Sequence, residues 1–165
     1  MLLMTPKRLL SAAVLVLTAV ALLWLGGVAG GTSKAAQPTR ADLAAGEPSF
    51  APGYRLSLMR IVIPAGAKLA PHRHPGMQTA RVISGRLKYR VLRGKVTVYR
   101  GPADGTEQVV RTIAAGHTAV IEPGQWIVEA PSAWHAGSNP GKKPTVILSS
   151  ALLKANKPVS IPVKS

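Results

Sequence analysis

His72 and His74 stand two positions apart in the run 66–85, GAKLAPHRHPGMQTARVISG, and Gln78 follows four residues after His74. In an extended chain, side chains two apart leave the same face, so both imidazoles can be offered to one ion. Gln78 also lies an even number of positions from His74, and its amide oxygen is a candidate third donor, although Pro75-Gly76 bends the strand between them. A fourth donor must come from a distant segment. His135 supplies it within 124–139, GQWIVEAPSAWHAGSN, where Asn139 follows four residues later. Three imidazoles and a carboxamide, in a chain without cysteine, suit one divalent transition metal among Fe, Mn, Ni, Cu and Zn. The set leaves positions open for water or a small molecule, which is the pattern of a catalytic rather than a structural metal.

Each neighbouring residue also has a plainer reading. His117 has no partner at ligand spacing and reads as a turn residue after Gly116. Glu129, six positions before His135, reads first as an exposed residue or an arginine partner, and second as an inward-facing base or a partner of the site. Trp126 and Trp134 face the opposite way from Gln125 and His135, toward core or barrel lip, and Asn139 caps a turn. Met77, Ala80 and Val82 are expected as an apolar pocket wall, with Gln78 on the Ala80 face.

The two runs together resemble the two halves of the cupin signature. The first reads Gly66, five residues, His72-x-His74, three residues, Gln78, six residues, Gly85; the second reads Gly124, five residues, a proline-containing turn, then His135 and Asn139. The resemblance covers about residues 56–153. It implies an all-β, double-stranded β-helix, a jelly-roll barrel, in which His72, His74, Gln78 and His135 surround one metal. Three positions depart from the pattern: Gln78 replaces the usual Glu, Ala130 stands at the usual Pro, and Ser132 stands at the usual Gly. With Gln78 the donor set is neutral, so the full double charge of the ion remains and favours an anionic ligand. The glutamate thought to act as base in quercetin-degrading dioxygenases of this family is missing as well, and an amide cannot replace it.

The elements that must position these residues follow from period-two patterning punctuated by Gly and Pro. Strands are expected at 56–63, 78–83, 87–92, 96–99, 109–113, 118–121 and 145–153, with the second signature over 125–139. An extra hairpin or a long loop around Asp104 accounts for the length between Gly85 and Gly124. Upstream, Lys7 and Arg8 precede an uncharged run over 9–28 that is long enough to cross a membrane as a helix. Residues 1–35 are therefore read as an anchor, or as a signal peptide cleaved after Ala35, with 36–53 as linker, 54–155 as barrel and 156–165 as tail. In either case the domain is exported, because the basic pair stays on the cytoplasmic side.

The chain carries 21 basic residues against 6 acids; 18 of the basic residues and all the acids follow Ala35, which leaves +12 on the exported part. These charges fall singly on alternating strand positions, as in Arg86-Leu87-Lys88-Tyr89-Arg90-Val91, and aromatics for stacking bases are few. A solvated barrel exterior, and no nucleic acid partner, is the expectation. Phosphate loops, dinucleotide fingerprints and Ser-His-Asp patterns do not occur. Three functions remain open: a metal-dependent, dioxygenase-like enzyme acting on a small oxygen-rich or anionic molecule, a non-catalytic module that holds a small molecule or the metal, and a structural relic. The resemblance also implies pairing into a homodimer through outer strands.

Overall fold

A computed structural model describes residues 36–164, and these residues form twelve β-strands. The strands are β1 (Thr39–Gly46), β2 (Tyr54–Ile63), β3 (Lys68–Arg73), β4 (Gly76–Ser84), β5 (Leu87–Arg93) and β6 (Lys95–Arg100), followed by β7 (Gln108–Ala114), β8 (Thr118–Ile121), β9 (Gln125–Glu129), β10 (Trp134–Ser138), β11 (Thr145–Lys154) and β12 (Ile161–Pro162). The strands expected from alternation differ from these by one or two residues at their ends. The apolar run 9–28, expected as a helix, lies outside the described residues. Among those described, no helix is long and apolar enough to cross a membrane.

Two antiparallel sheets face each other as a jelly-roll sandwich, with orders β1-β2-β11-β4-β9-β6-β7 and β12-β3-β10-β5-β8. Alternate residues of each strand turn inward. Along β4 and β5 the burial pattern switches at nearly every residue, so that Ala80, Val82, Leu87, Tyr89 and Val91 are inside while Arg81, Lys88 and Arg90 are outside. Val91, Val96, Val98, Ile121 and Ile127 fill the main core, and Met59, Ala151 and Leu153 form a smaller cluster. The excess length after Gly85 is the β6–β7 hairpin, whose loop holds Asp104 as an acceptor for the Thr106 amide and hydroxyl.

Three local features set the site. Gly76 begins β4 after β3 has ended at Arg73, so the chain passes from one sheet to the other between His72 and Gln78. Asn139 is buried, donates to the carbonyls of Ile63 and Lys143 at 2.9 and 2.8 Å, and accepts from the Gly141 amide, which fixes the turn after β10. The segments outside the expected barrel are also ordered against it. Within 36–53, read as linker, β1 pairs with β2 from Thr39↔Val62 to Gly46↔Leu56, and within 156–165, read as tail, β12 pairs with β3. The side chains of β1 are exposed throughout, so backbone hydrogen bonds along an open edge hold it, and hydropathy alone does not reveal such a strand.

Gly76 lies opposite Leu153, and a Cβ placed there would overlap the carbonyl oxygen of Leu152 and come within 2.9 Å of the Leu153 Cα. Backbone atoms cannot yield as a side chain can. Gly76→Ala is predicted to destabilise the protein by about 2 kcal/mol, read from the urea midpoint, and a change under about 0.5 kcal/mol would show that β4 and β11 do not approach this closely.

Candidate metal centre

Both sheets and the crossover between them contribute to the site. His135 on β10 lies directly opposite His72 on β3, and the two Nε2 atoms are 3.1 Å apart. His74, just beyond the end of β3, completes a triangle, with ring centroids 5.0 Å from His72 and 5.2 Å from His135. One ring nitrogen of each imidazole lies within 4.8 Å of the others. From the facing sheet, Gln78 on β4 and Glu129 on β9 sit opposite each other in register, and both are buried, at 5% and 2% exposure. Tyr89 on β5 stacks on the His135 ring at 5.0 Å and 20°.

Backbone carbonyls select the tautomers. His72 Nδ1 donates to the Ala70 carbonyl and His74 Nδ1 donates to the Val159 carbonyl, each at 2.7 Å. A carbonyl only accepts, so in the neutral rings both Nε2 atoms are bare and carry their lone pairs. Such orientation by a partner on the far nitrogen is what metal-binding imidazoles require. Val159 belongs to the segment read as tail, so that segment aims His74.

Glu129 is the residue whose role changes most. It is neither exposed nor paired with an arginine; its second reading, as an inward partner of the site, is the observed one. Tyr89 Oη donates to Oε1 and Gln78 Nε2 donates to Oε2, both at 2.7 Å, while the Nε2 atoms of His135 and His74 lie 3.3 and 3.5 Å from the two oxygens. The burial of Glu129 opposes ionisation, but the imidazoles of His135 and His74 and the hydrogen bonds from Tyr89 and Gln78 outweigh it, and the carboxyl stays below its ordinary pKa. Burial, and then the Glu129 charge, pushes the Tyr89 phenol well above its usual value, so Tyr89 remains a donor.

Gln78 reaches the site as expected but in a different capacity. Its amide N–H groups face Glu129 and, at 3.3 Å, His74 Nε2, and its Oε1 has no hydrogen-bond partner. Turning the amide to offer oxygen inward would set that oxygen against the Glu129 carboxylate. Gln78 is thus tied to a carboxylate on the next strand, which places a negative charge beside the imidazoles.

These side chains line a cavity of about 320 Å3 whose other walls are mostly apolar, among them Met59, Ile61, Leu69, Leu87, Ile127 and Ile147. Pro38 and the first two residues of β1, Thr39 and Arg40, also line it. Of the expected wall, Ala80 is present; Met77, an odd number of positions from it, is 53% exposed on the outer face. His117 is exposed and bonds the Ala115 carbonyl, as a turn residue. Trp126 stacks on Tyr99 and Trp134 sits under Arg93, both outside the cavity. Tyr89 was not singled out from the sequence, although its place between outward Lys88 and Arg90 marks it as inward-facing.

No protein-family model and no curated protein matches the chain. Solved structures do, and they define the fold as that of cupin-domain proteins. The polyketide cyclase RemF from Streptomyces resistomycificus is 16% identical, with a TM-score of 0.51 over 78% of this chain and 72% of that one. A cupin 2 domain-containing protein from Halorhodospira halophila is 14% identical, with a TM-score of 0.50 over 82% and 77%. The chain spans 43% of the length of another match, the DMSP lyase DddQ from Ruegeria pomeroyi, at 15% identity, 66% coverage of this chain and a TM-score of 0.46. At these identities the likeness is one of fold.

Burial pushes the His135 pKa from 6.5 down to about 4, against the pull of the Glu129 charge. Between those values the unfolded chain carries a proton that the folded chain lacks, so stability is lost as pH falls through this window. The depressed Glu129 acts in the same direction at lower pH. Chelator-treated protein is predicted to lose roughly 3 kcal/mol between pH 7 and pH 4, and His135→Asn to lose correspondingly less; equal slopes in urea titrations would contradict the assignment.

Proposed function

We propose that this chain is an exported cupin that holds one divalent transition metal on His72, His74 and His135 and uses the adjoining cavity to bring a small molecule to it. The observation that carries this reading is the convergence of three imidazole nitrogens, two of them oriented by backbone carbonyls, in the wall of a largely apolar cavity. The donor chemistry fits such an ion, since adjacent nitrogens around a metal are about 3 Å apart when each bond is about 2.1 Å. To hold the ion through Nε2, His135 would carry its ring proton on Nδ1, leaving the Nε2 lone pair free beside that of His72.

A bound ion supplies a Lewis-acidic position for an oxygen of the bound molecule. The chain does the rest. Leu69, Leu87, Ile127 and Ile147 exclude water and favour an apolar body, while Tyr89 and Gln78 hold Glu129 still beside the metal position. The preferred molecule is therefore small and mostly apolar, with an oxygen-bearing end. Dioxygenase-like chemistry is the enzymatic form of this reading. A non-catalytic binding module is the second form, favoured by Glu129 itself: the site's carboxylate is already engaged by Tyr89, Gln78 and two imidazoles, and is not held free as a base. Export, with the domain tethered or released, rests on Lys7 and Arg8 ahead of the uncharged run 9–28.

Wild-type protein is expected to carry about one metal ion per chain and His74→Ala close to none, with the β-rich circular dichroism unchanged; equal metal content in the two would place the ion elsewhere. Oxygen uptake by the metal-loaded protein with catechol- or flavonol-like compounds would select the enzymatic form, and binding of such compounds without turnover the other.

A further inference from the structure

Glu129 is among the most buried acids the fold can offer, yet among the described residues no lysine or arginine reaches it, in a chain with a large basic surplus. Its only potential cationic neighbours are His74 and His135. A buried carboxylate left without a compensating positive charge is strongly destabilising. His74 contributes no proton on the side that faces Glu129, because its Nδ1 proton goes to Val159 and its Nε2 lone pair points inward. Glu129 Oε2 and that lone pair lie 3.5 Å apart. The Gln78 amide nitrogen reaches both, at 2.7 and 3.3 Å, but adds no net charge, so a cation held by both donors would supply the charge that the amide lacks.

We propose that Glu129 is itself a metal ligand, the one anionic donor of the centre, delivered from β9 beside His74 and His135. This deepens the metal reading above and rests on it. Gln78 and Tyr89 are positioning residues: each donates to one carboxylate oxygen, which fixes the plane of the group while each oxygen keeps a lone pair for the ion. The centre then carries one negative charge, which offsets half that of a divalent ion. Because Gln78 and Glu129 are directly opposite on β4 and β9 and hydrogen-bonded at 2.7 Å, the amide and the carboxylate can be exchanged between strands with little change in volume.

The exchange is the test. Zn(II) affinity of the full chain is measured by competition with a chromophoric chelator for the wild type, Glu129→Gln, and the double variant Gln78→Glu/Glu129→Gln. The expected result is at least a tenfold loss in Glu129→Gln, recovered to within about threefold of wild type in the double variant, with Co(II) absorption bands shifted in the first and returned in the second. Thermal melts of the metal-free proteins keep a folding defect from being read as lost affinity. A Glu129→Gln affinity within twofold of wild type, while His74→Ala abolishes binding, overturns the ligand role and leaves the imidazole site standing. No Zn(II) uptake by the wild type overturns both.

Discussion

The centre depends on one strand pairing, the register that sets His135 on β10 opposite His72 on β3. These residues are 63 positions apart in the chain, and nothing local brings them together. Their meeting requires β10 to lie between β3 and β5, the order observed. A slip of one residue would turn His135 outward and bring Trp134 or Ala136 inward. The Asn139 turn, anchored to Ile63 and Lys143, holds β10 against such a slip, which gives a residue far from any ion a direct part in forming the site.

Charge organises what geometry brings together. Among the described residues no lysine or arginine is buried, and one carboxylate, Glu129, is buried next to the histidines. Tyr89 and Gln78 satisfy that carboxylate from two sides, while the backbone carbonyls of Ala70 and Val159 turn the His72 and His74 imidazoles so that their Nε2 atoms point into the cluster.

Much of this was legible in the sequence, and the remainder was hidden for identifiable reasons. Alternating side chains bounded by Gly and Pro gave the strands, because a half-buried sheet imposes period two on its residues. The three histidines were legible because the resemblance joins two distant segments that spacing alone cannot join. Between the two readings of Glu129 the sequence cannot choose: pairing of β4 with β9 puts it opposite Gln78, and cross-strand register is not written in either strand by itself. β1 and β12 escaped notice because backbone pairing at sheet edges holds them and leaves little trace in side-chain pattern. Gln78 was placed correctly, but the direction of its amide depends on the carboxylate opposite.

The most direct test of the central claim is the position of the ion itself. Crystals of metal-loaded wild-type protein, measured at the absorption edge of the bound element, should give one anomalous peak in contact with Nε2 of His72, His74 and His135 and with a carboxylate oxygen of Glu129. A peak lying away from those imidazoles, or bound by exposed surface residues, would contradict the account.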